Sequence, residues 1–375
     1  MKYENIWRNS LTSSRNTNFS VEDLKKTLKN HEKYNLSSLD KKITRGLYKQ
    51  IEKTNKFPDW WTLHNSSYLE NCKDSEKTVR YVAFRYKFDL LTSKRITLDF
   101  PLYVLIEPTS VCNLRCPMCF QCDKTFTQKP YMGFMDINLF YRVIDECSEN
   151  GTEAITLASR GEPTLHPKFC EMLHYAKGKF LELKINTNGT RLTEKICHAI
   201  FESEVTDMVL SIDSDNEETF EKIRYKAKFS KVLENVKMIN NIRDKHYPDS
   251  KTVIRISGID CLPEQKLENF YEFWGGLADE ITKQPAEERW DTYSNSLHPE
   301  LTKPCGYPWQ RFYVWYDGTC NPCDVDYKSK LSPGKLSESM TIKSIWKSDK
   351  LKQLKKLHKD GKRSLVSPCD RCGVE

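Results

Sequence analysis

Between Pro101 and about Glu288 the chain repeats one rhythm: a short apolar, β-branched run, then a loop, then a helical pattern. The runs are Tyr103 to Thr109, Ala154 to Ser159, Leu181 to Thr187, Met208 to Asp213 and Val253 to Ile259, with a sixth at Glu280 to Lys283. Short and nearly continuous in apolar character, they read as parallel strands buried on both faces. Helical patterns separate them at Asp136 to Glu149, Lys168 to Lys177, Glu194 to Ser203, Glu217 to Arg243 and Pro263 to Leu277. Repeated β-α units with right-handed crossovers give a doubly wound sheet or a barrel, and five or six units fit a partial barrel better than a full eight.

The rhythm is absent on either side. Near the start, Ser20 and Asp23 mark a helix beginning before Leu24 and Leu28, with further helical stretches at Ile43 to Ile51 and Thr78 to Leu91. Between them Pro58, Trp60 and Trp61, in FPDWWTLHNSS, predict a packed turn. Residues 1–100 carry no motif, and their role is not readable. After Leu301, FYVWYDGTCNP sets Asp317-Gly318 at a hairpin turn. A basic helix over Ile342 to Lys359 follows, anchored by Ile342, Ile345 and Trp346, with Lys347, Lys350, Lys352, Lys355, Lys356 and Lys359 on a solvated face. The expected domains are 1–100, 101–300 and 301–375.

The net charge of +7 over 375 residues is too thinly spread for a nucleic-acid footprint. No run approaches the roughly 20 apolar residues of a membrane span, and MKYENIWRNSLTSS lacks a signal-peptide pattern. A cytoplasmic protein is expected, in a compartment where disulfides do not persist. The 14 cysteines then point to metal ligands or catalysts. Five of them, Cys72, Cys147, Cys170, Cys197 and Cys261, are scattered and read as small buried hydrophobes.

The other nine are grouped. Cys112-x3-Cys116-x2-Cys119 follows the first strand, and three thiolates on one loop can hold three irons of a [4Fe-4S] cube while leaving the fourth open. Two rivals stand beside this reading. Cys116-x2-Cys119-x2-Cys122 begins a ferredoxin run but meets Phe126 where a fourth cysteine belongs. Zinc could take Cys112, Cys116, Cys119 and Cys122. In the last 75 residues, Cys320-x2-Cys323 with Cys369-x2-Cys372 matches a zinc ribbon and leaves Cys305 idle.

The first cysteine loop resembles the signature of the radical S-adenosylmethionine (SAM) superfamily, with Met118 in the place usually held by an aromatic residue. That resemblance implies a partial (β/α)6 TIM-like barrel with a helical N-terminal region and a small cysteine-rich closing domain. It also implies a [4Fe-4S] cluster on Cys112, Cys116 and Cys119 whose open iron binds SAM. Gly161, Glu162 and Pro163 match the family's GGEP motif, Arg160 replacing its first glycine; the family counterpart of Glu162 accepts from the SAM ammonium. Asn186, Thr187, Asn188 and Gly189 match its TNG motif, Ser211 and Asp213 its ribose or amino contacts, and Arg224 the arginine facing the SAM carboxylate. Cys305, then Gly318-x4-Cys323, resemble the SPASM and twitch extensions; with Cys369 and Cys372 they imply one auxiliary [4Fe-4S] cluster, Cys320 being spare.

The resemblance also implies a radical SAM oxidoreductase, supplied with electrons by a donor such as flavodoxin or ferredoxin. The expected reaction is two-electron oxidation of a small polar metabolite such as a sugar or aminocyclitol. Alternatives are a peptide- or protein-modifying maturase and an epimerase drawing hydrogen from one of the scattered thiols. A non-catalytic zinc or iron–sulfur protein is a more distant reading. No catalytic side chain and no specific substrate is readable.

Overall fold

The computed structural model describes residues 12–13, 17–72, 74–262, 265, 267–285 and 291–373. The N-terminal segment from Met1, the expected helix start at Pro263 and the boundary at Glu288 lie outside them. Two compact units divide the chain, residues 13–97 and a second unit containing 98–375.

The first unit is helical. α1 (Val21–Lys29) opens with a capping box in which Ser20 and Asp23 satisfy each other's backbone donors, as the sequence predicts. α2 (Ser38–Thr54), α3 (Leu63–Asn71) and α4 (Ser75–Tyr86) follow, and a π-helical stretch, Lys87–Leu91, continues α4. The packed turn is confirmed at Trp60 and Trp61, whose rings meet Tyr86 and Phe57. Its C-terminal half is helix α3, which the predicted turn did not include: the Thr62 hydroxyl accepts from Asn65 N and starts it.

In the second unit, β1 (Tyr103–Ile106), β2 (Ala154–Leu157), β3 (Glu182–Thr187), β4 (Asp207–Ser211), β5 (Val253–Asp260) and β6 (Glu280–Pro285) pair in parallel, each with the next. β7 (Phe312–Val314) joins β1 in parallel, and β8 (Thr319–Asn321) and β9 (Gly334–Lys335) continue antiparallel. The order is therefore β6-β5-β4-β3-β2-β1-β7-β8-β9. α5 (Ile137–Glu149), α6 (Phe169–Ala176) and α7 (Glu194–Glu202) are crossovers, as are α8 (Glu217–Ile223) with α9 (Phe229–His246) and α10 (Leu267–Gly275). This is the expected α/β architecture, a curved parallel sheet of β/α units followed by a small closing segment.

Side chains alternate across each strand. Val104, Ile106, Ile155, Leu157, Leu183, Ile185, Met208, Leu210, Ile254 and Ile256 form one core with the helices. The opposite row is not apolar, as the sequence reading had it. There Lys184 pairs with Glu182 at 2.9 Å, and Arg255 reaches Glu280 at 2.8 Å and Asp207 at 3.1 Å, all five largely buried. Buried charges persist because each faces its opposite.

Two predicted helices are broken. The pattern over Glu217 to Arg243 is interrupted at Arg224, where residues 224–228 leave the helix and Lys226 takes φ +79°. After the short helix α11 (Tyr307–Gln310), the pattern over Ile342 to Lys359 divides into α12 (Ile342–Trp346) and α13 (Asp349–Lys359), because the Ser348 hydroxyl caps a new start at Leu351 N. Ile342, Ile345 and Trp346 are buried as expected. Lys355 is not on a solvated face: it is 5% exposed, with Nζ 3.6 Å from the centroid of the Trp346 ring. Among the described residues no helix is long and apolar enough to cross a membrane.

Burial, and then the neighbouring Lys359, push the Lys355 amine down to about 7; the Trp346 ring face works against this shift. An unfolded lysine titrates near ~10.4, so the unfolded chain binds more protons over pH 7–10 and stability rises with pH there. Urea unfolding at pH 7, 8 and 9 should show that rise. Lys355→Met should remove on the order of 2 kcal/mol of it, below the limit of about 2.7 kcal/mol for a two-unit window.

Candidate functional site

The loop leaving β1 carries the first cysteine group and is tied down before reaching it. Gly133 O accepts from Thr109 Oγ1 at 2.7 Å and Ser110 N at 3.1 Å, and Ser110 Oγ accepts from Gly133 N at 2.9 Å. Arg115 Nη1 then donates to the Cys112 and Leu114 carbonyls at 2.8 and 2.6 Å, closing the loop on itself. Cys112, Cys116 and Cys119 feel one another's charge. Burial pushes the Cys112 thiol to about 11 and Cys119 to about 12 and also raises Cys116, so ionisation at neutral pH requires a bound cation.

Cys122 stands apart in role: its Sγ donates to Cys116 O at 3.2 Å and Arg115 O at 3.5 Å.

The strand ends converge on this loop. A Cβ at Gly161 would lie 2.2 Å from Thr109 O and 2.6 Å from Val111 O, so only glycine lets the two segments touch. Glu162 N donates to Val111 O at 2.9 Å. The buried Glu162 carboxylate is already engaged: Oε1 accepts from Thr164 N, Thr164 Oγ1 and Thr187 Oγ1, and Oε2 accepts from Asn188 N at 2.7 Å. It fastens β2 to β3 and keeps acceptor capacity at Oε2 alone. Pro163 begins the short turn after it. Asn188 donates to Asn113 Oδ1 at 3.0 Å, Asn186 is exposed and Ser211 is half-buried.

Asp213 and Arg224 meet each other, Arg224 Nε to Asp213 Oδ2 at 2.5 Å. Burial opposes the Arg224 charge, but Asp213, Cys116 and Cys119 outweigh it and raise its pKa. The break in the α8–α9 helical pattern has its cause here, since Arg115 N donates to Tyr225 O at 3.1 Å and draws residues 224–228 onto the cysteine loop.

Sequence reasoning missed the Glu107–Arg160 pair. Arg160 Nε and Nη2 each lie 2.6 Å from a Glu107 carboxylate oxygen, and Nη1 donates to Tyr327 O at 2.8 Å. The guanidinium also covers the Trp315 ring at 4.2 Å. An arginine where the motif has glycine was the available signal. Cys261 was also missed: half-buried at the end of β5, its thiol is pushed to about 11 by burial and then by Asp213, with Arg224 and Cys116 also nearby. Cys147 and Cys197 are buried core residues as expected, whereas Cys72 and Cys170 are half-buried.

The second group converges separately. Cys305, Cys323, Cys369 and Cys372 line one hollow, together with Tyr307, Leu354, His358 and Arg363. Burial raises Cys323, and Cys305, Cys372 and Cys369 add to it. Cys320 is absent from this wall; fully buried, it packs in the main core, with Glu146 and Cys147 nearby. That placement removes the ribbon arrangement, which needs Cys320.

Gly161→Ala should cost about 1–3 kcal/mol by overpacking and displace the cysteine loop. Thermal unfolding should show a lower midpoint, and iron analysis after anaerobic reconstitution should show the loss of one cluster's iron.

Residues 106–273 match the model of the radical SAM superfamily and residues 305–373 that of an iron–sulfur cluster-binding domain, SPASM. The "Tungsten-containing aldehyde ferredoxin oxidoreductase cofactor-modifying protein" of Pyrococcus furiosus is 36% identical over 112 residues, covering 30% of each chain. The chain thus spans less than a third of that relative's length. Among solved structures, BtrN in complex with AdoMet and 2-DOIA superposes with TM-score 0.51 at 19% identity, covering 73% of this chain and 93% of that one. Streptococcus suis SuiB bound to precursor peptide SuiA gives TM-score 0.53 at 14% identity, covering 88% and 83%. Both show likeness of fold. The chain carries a radical SAM domain over residues 106–273 followed by a C-terminal SPASM iron–sulfur cluster-binding domain over residues 305–373.

Proposed function

We propose that this enzyme is an oxidoreductase performing a two-electron oxidation of a small polar metabolite, an alcohol of a sugar or aminocyclitol becoming a ketone. Its cofactors are SAM, a [4Fe-4S] cluster and auxiliary iron–sulfur; bound at the first site they supply one-electron cleavage to a 5′-deoxyadenosyl radical that abstracts hydrogen. Cys112, Cys116 and Cys119 hold that cluster. Glu162 Oε2, Asn186, Asn188, Ser211 and the Asp213–Arg224 pair line the SAM side, with Gly161 and Pro163 shaping the turn. The domains follow as 1–100 of unassigned role, 101–300 for the radical chemistry and 301–375 for the auxiliary cluster.

One observation carries the redox assignment. The hollow at the second site presents four thiols, Cys305, Cys323, Cys369 and Cys372, so every iron of a cube there has a protein ligand and none is open to substrate. A cube held by these four thiols would serve as an electron acceptor: the substrate carbon left after hydrogen abstraction would give it one electron and lose its hydroxyl proton to a base, forming the carbonyl. A reducing cytoplasm and a flavodoxin- or ferredoxin-type donor complete the scheme.

A second reading, peptide modification, draws on the likeness to SuiB, which was solved with its precursor peptide. Copurification of this chain with a precursor peptide would select it. Cys369→Ala/Cys372→Ala is the decisive variant for the oxidation reading. After anaerobic reconstitution it should still release 5′-deoxyadenosine from SAM yet form no oxidised product. Full product formation by this variant removes the electron-acceptor role.

A further inference from the structure

Three polar side chains tie the cysteine loop to the turn after β3, and two of them, Asn113 and Thr190, belong to no motif. Asn113 sits between Cys112 and Cys116. Its Nδ2 donates to Thr190 Oγ1 at 2.8 Å, and its Oδ1 accepts from Asn188 Nδ2 at 3.0 Å. Thr190 Oγ1 in turn donates to Asn188 Oδ1 at 2.7 Å, so the three residues close a ring. Thr190 N also donates to Asn188 Oδ1, at 2.9 Å. A backbone N–H can only donate, which fixes the oxygen end of the Asn188 amide and, around the ring, that of Asn113. Every donor leads to the next member, an arrangement in which hydrogen bonds polarise one another.

The ring ends on an acceptor of the SAM side. Asn188 N donates to Glu162 Oε2 at 2.7 Å, the carboxylate oxygen with capacity left for a further donor. Opening the ring at Asn113 would leave the turn its own shape, because Thr190 still holds Asn188 Oδ1 and Gly189 N still donates to Thr187 Oγ1 at 3.1 Å. It would release the register of Asn188, and of the Glu162 oxygen beside it, against the thiols. Gly161 fixes the loop ahead of Cys112, through Thr109 O and Val111 O, whereas Asn113 fixes it between two of the thiols.

We infer that Asn113 is a positioning residue for SAM: it holds the cysteine loop in register with the Glu162–Asn188 edge, so that one SAM molecule meets both. The inference rests on the placement of SAM beside Glu162 and Asn188 and is independent of the oxidation reading. Full-length protein is reconstituted anaerobically, and binding of radiolabelled SAM is measured by equilibrium dialysis beside iron content. Asn113→Ala and Thr190→Val open the ring at different members; Thr190→Ser returns the hydroxyl.

Each ring-opening variant should keep its iron and bind SAM about tenfold more weakly, the scale of one lost polar tie. The double variant should bind no more weakly than the worse single, because both open one ring. Thr190→Ser should recover the affinity. In dithionite-driven release of 5′-deoxyadenosine, the KM for SAM should rise while kcat holds. Unchanged SAM affinity in a ring-opening variant with full iron overturns the inference. Loss of iron from both Asn113→Ala and Thr190→Val also overturns it, since the ring then serves only to fold the loop; if one of them loses iron, the other decides. Glu162→Gln separates the inference from the placement it rests on. Weaker SAM binding by Glu162→Gln alone sinks the inference and leaves the placement standing, whereas no effect of Glu162→Gln removes the placement and the inference with it.

Discussion

The buried pair of Glu107 and Arg160 organises the functional end of the barrel. Glu107 leaves β1 fully buried, and Tyr316 N, just past β7, donates to its Oε1 at 3.2 Å. Arg160 stands between β2 and the glycine–glutamate turn and reaches Tyr327 of the closing segment. Gln121, within the cysteine loop, donates to Arg160 O at 2.5 Å and Ser110 O at 2.8 Å. One ion pair thus touches the first strand, the turn after the second, the cysteine loop and the auxiliary segment. Breaking a buried pair by removing one partner commonly costs about 3–5 kcal/mol; here it would also release the register of all four.

Around that hub the two cysteine groups are built by different means. The first is a single loop, shaped by its own hydrogen bonds and by the glycine contact, so its three thiols are local in sequence. The second gathers Cys305 from before β7, Cys323 from after β8 and Cys369 and Cys372 from a short helical turn near residue 370. Phe120, next to Cys119, stacks on Tyr327 at 4.8 Å, and Tyr327 lies four residues from Cys323, so an aromatic contact joins the two regions.

The strands and most crossovers were legible because short, nearly continuous apolar runs alternate with helical patterns, several of which start at a capping side chain such as Asp136, Thr193 or Asn216. The charged inner row was not, since the backbone pattern of Glu182, Lys184, Asp207 and Arg255 says nothing of who faces whom. The break at Arg224 was equally hidden: residues 224–228 have ordinary helical propensity, and a tertiary contact to Arg115 overrides it. At the sites, spacing found the first three cysteines, and family resemblance separated Cys305 from Cys320. Arg160, Cys261, His358 and Arg363 could not be found by spacing, because their neighbours lie far away along the chain.

The four-cysteine hollow has a topological consequence. A cube bound to Cys305 and Cys372 at once would close a loop that contains β7, β8, β9, α12 and α13, much as a crosslink does. Closing so long a loop removes conformational freedom from the unfolded chain. Losing that cube would reopen the loop and return this freedom to the last segment of the chain.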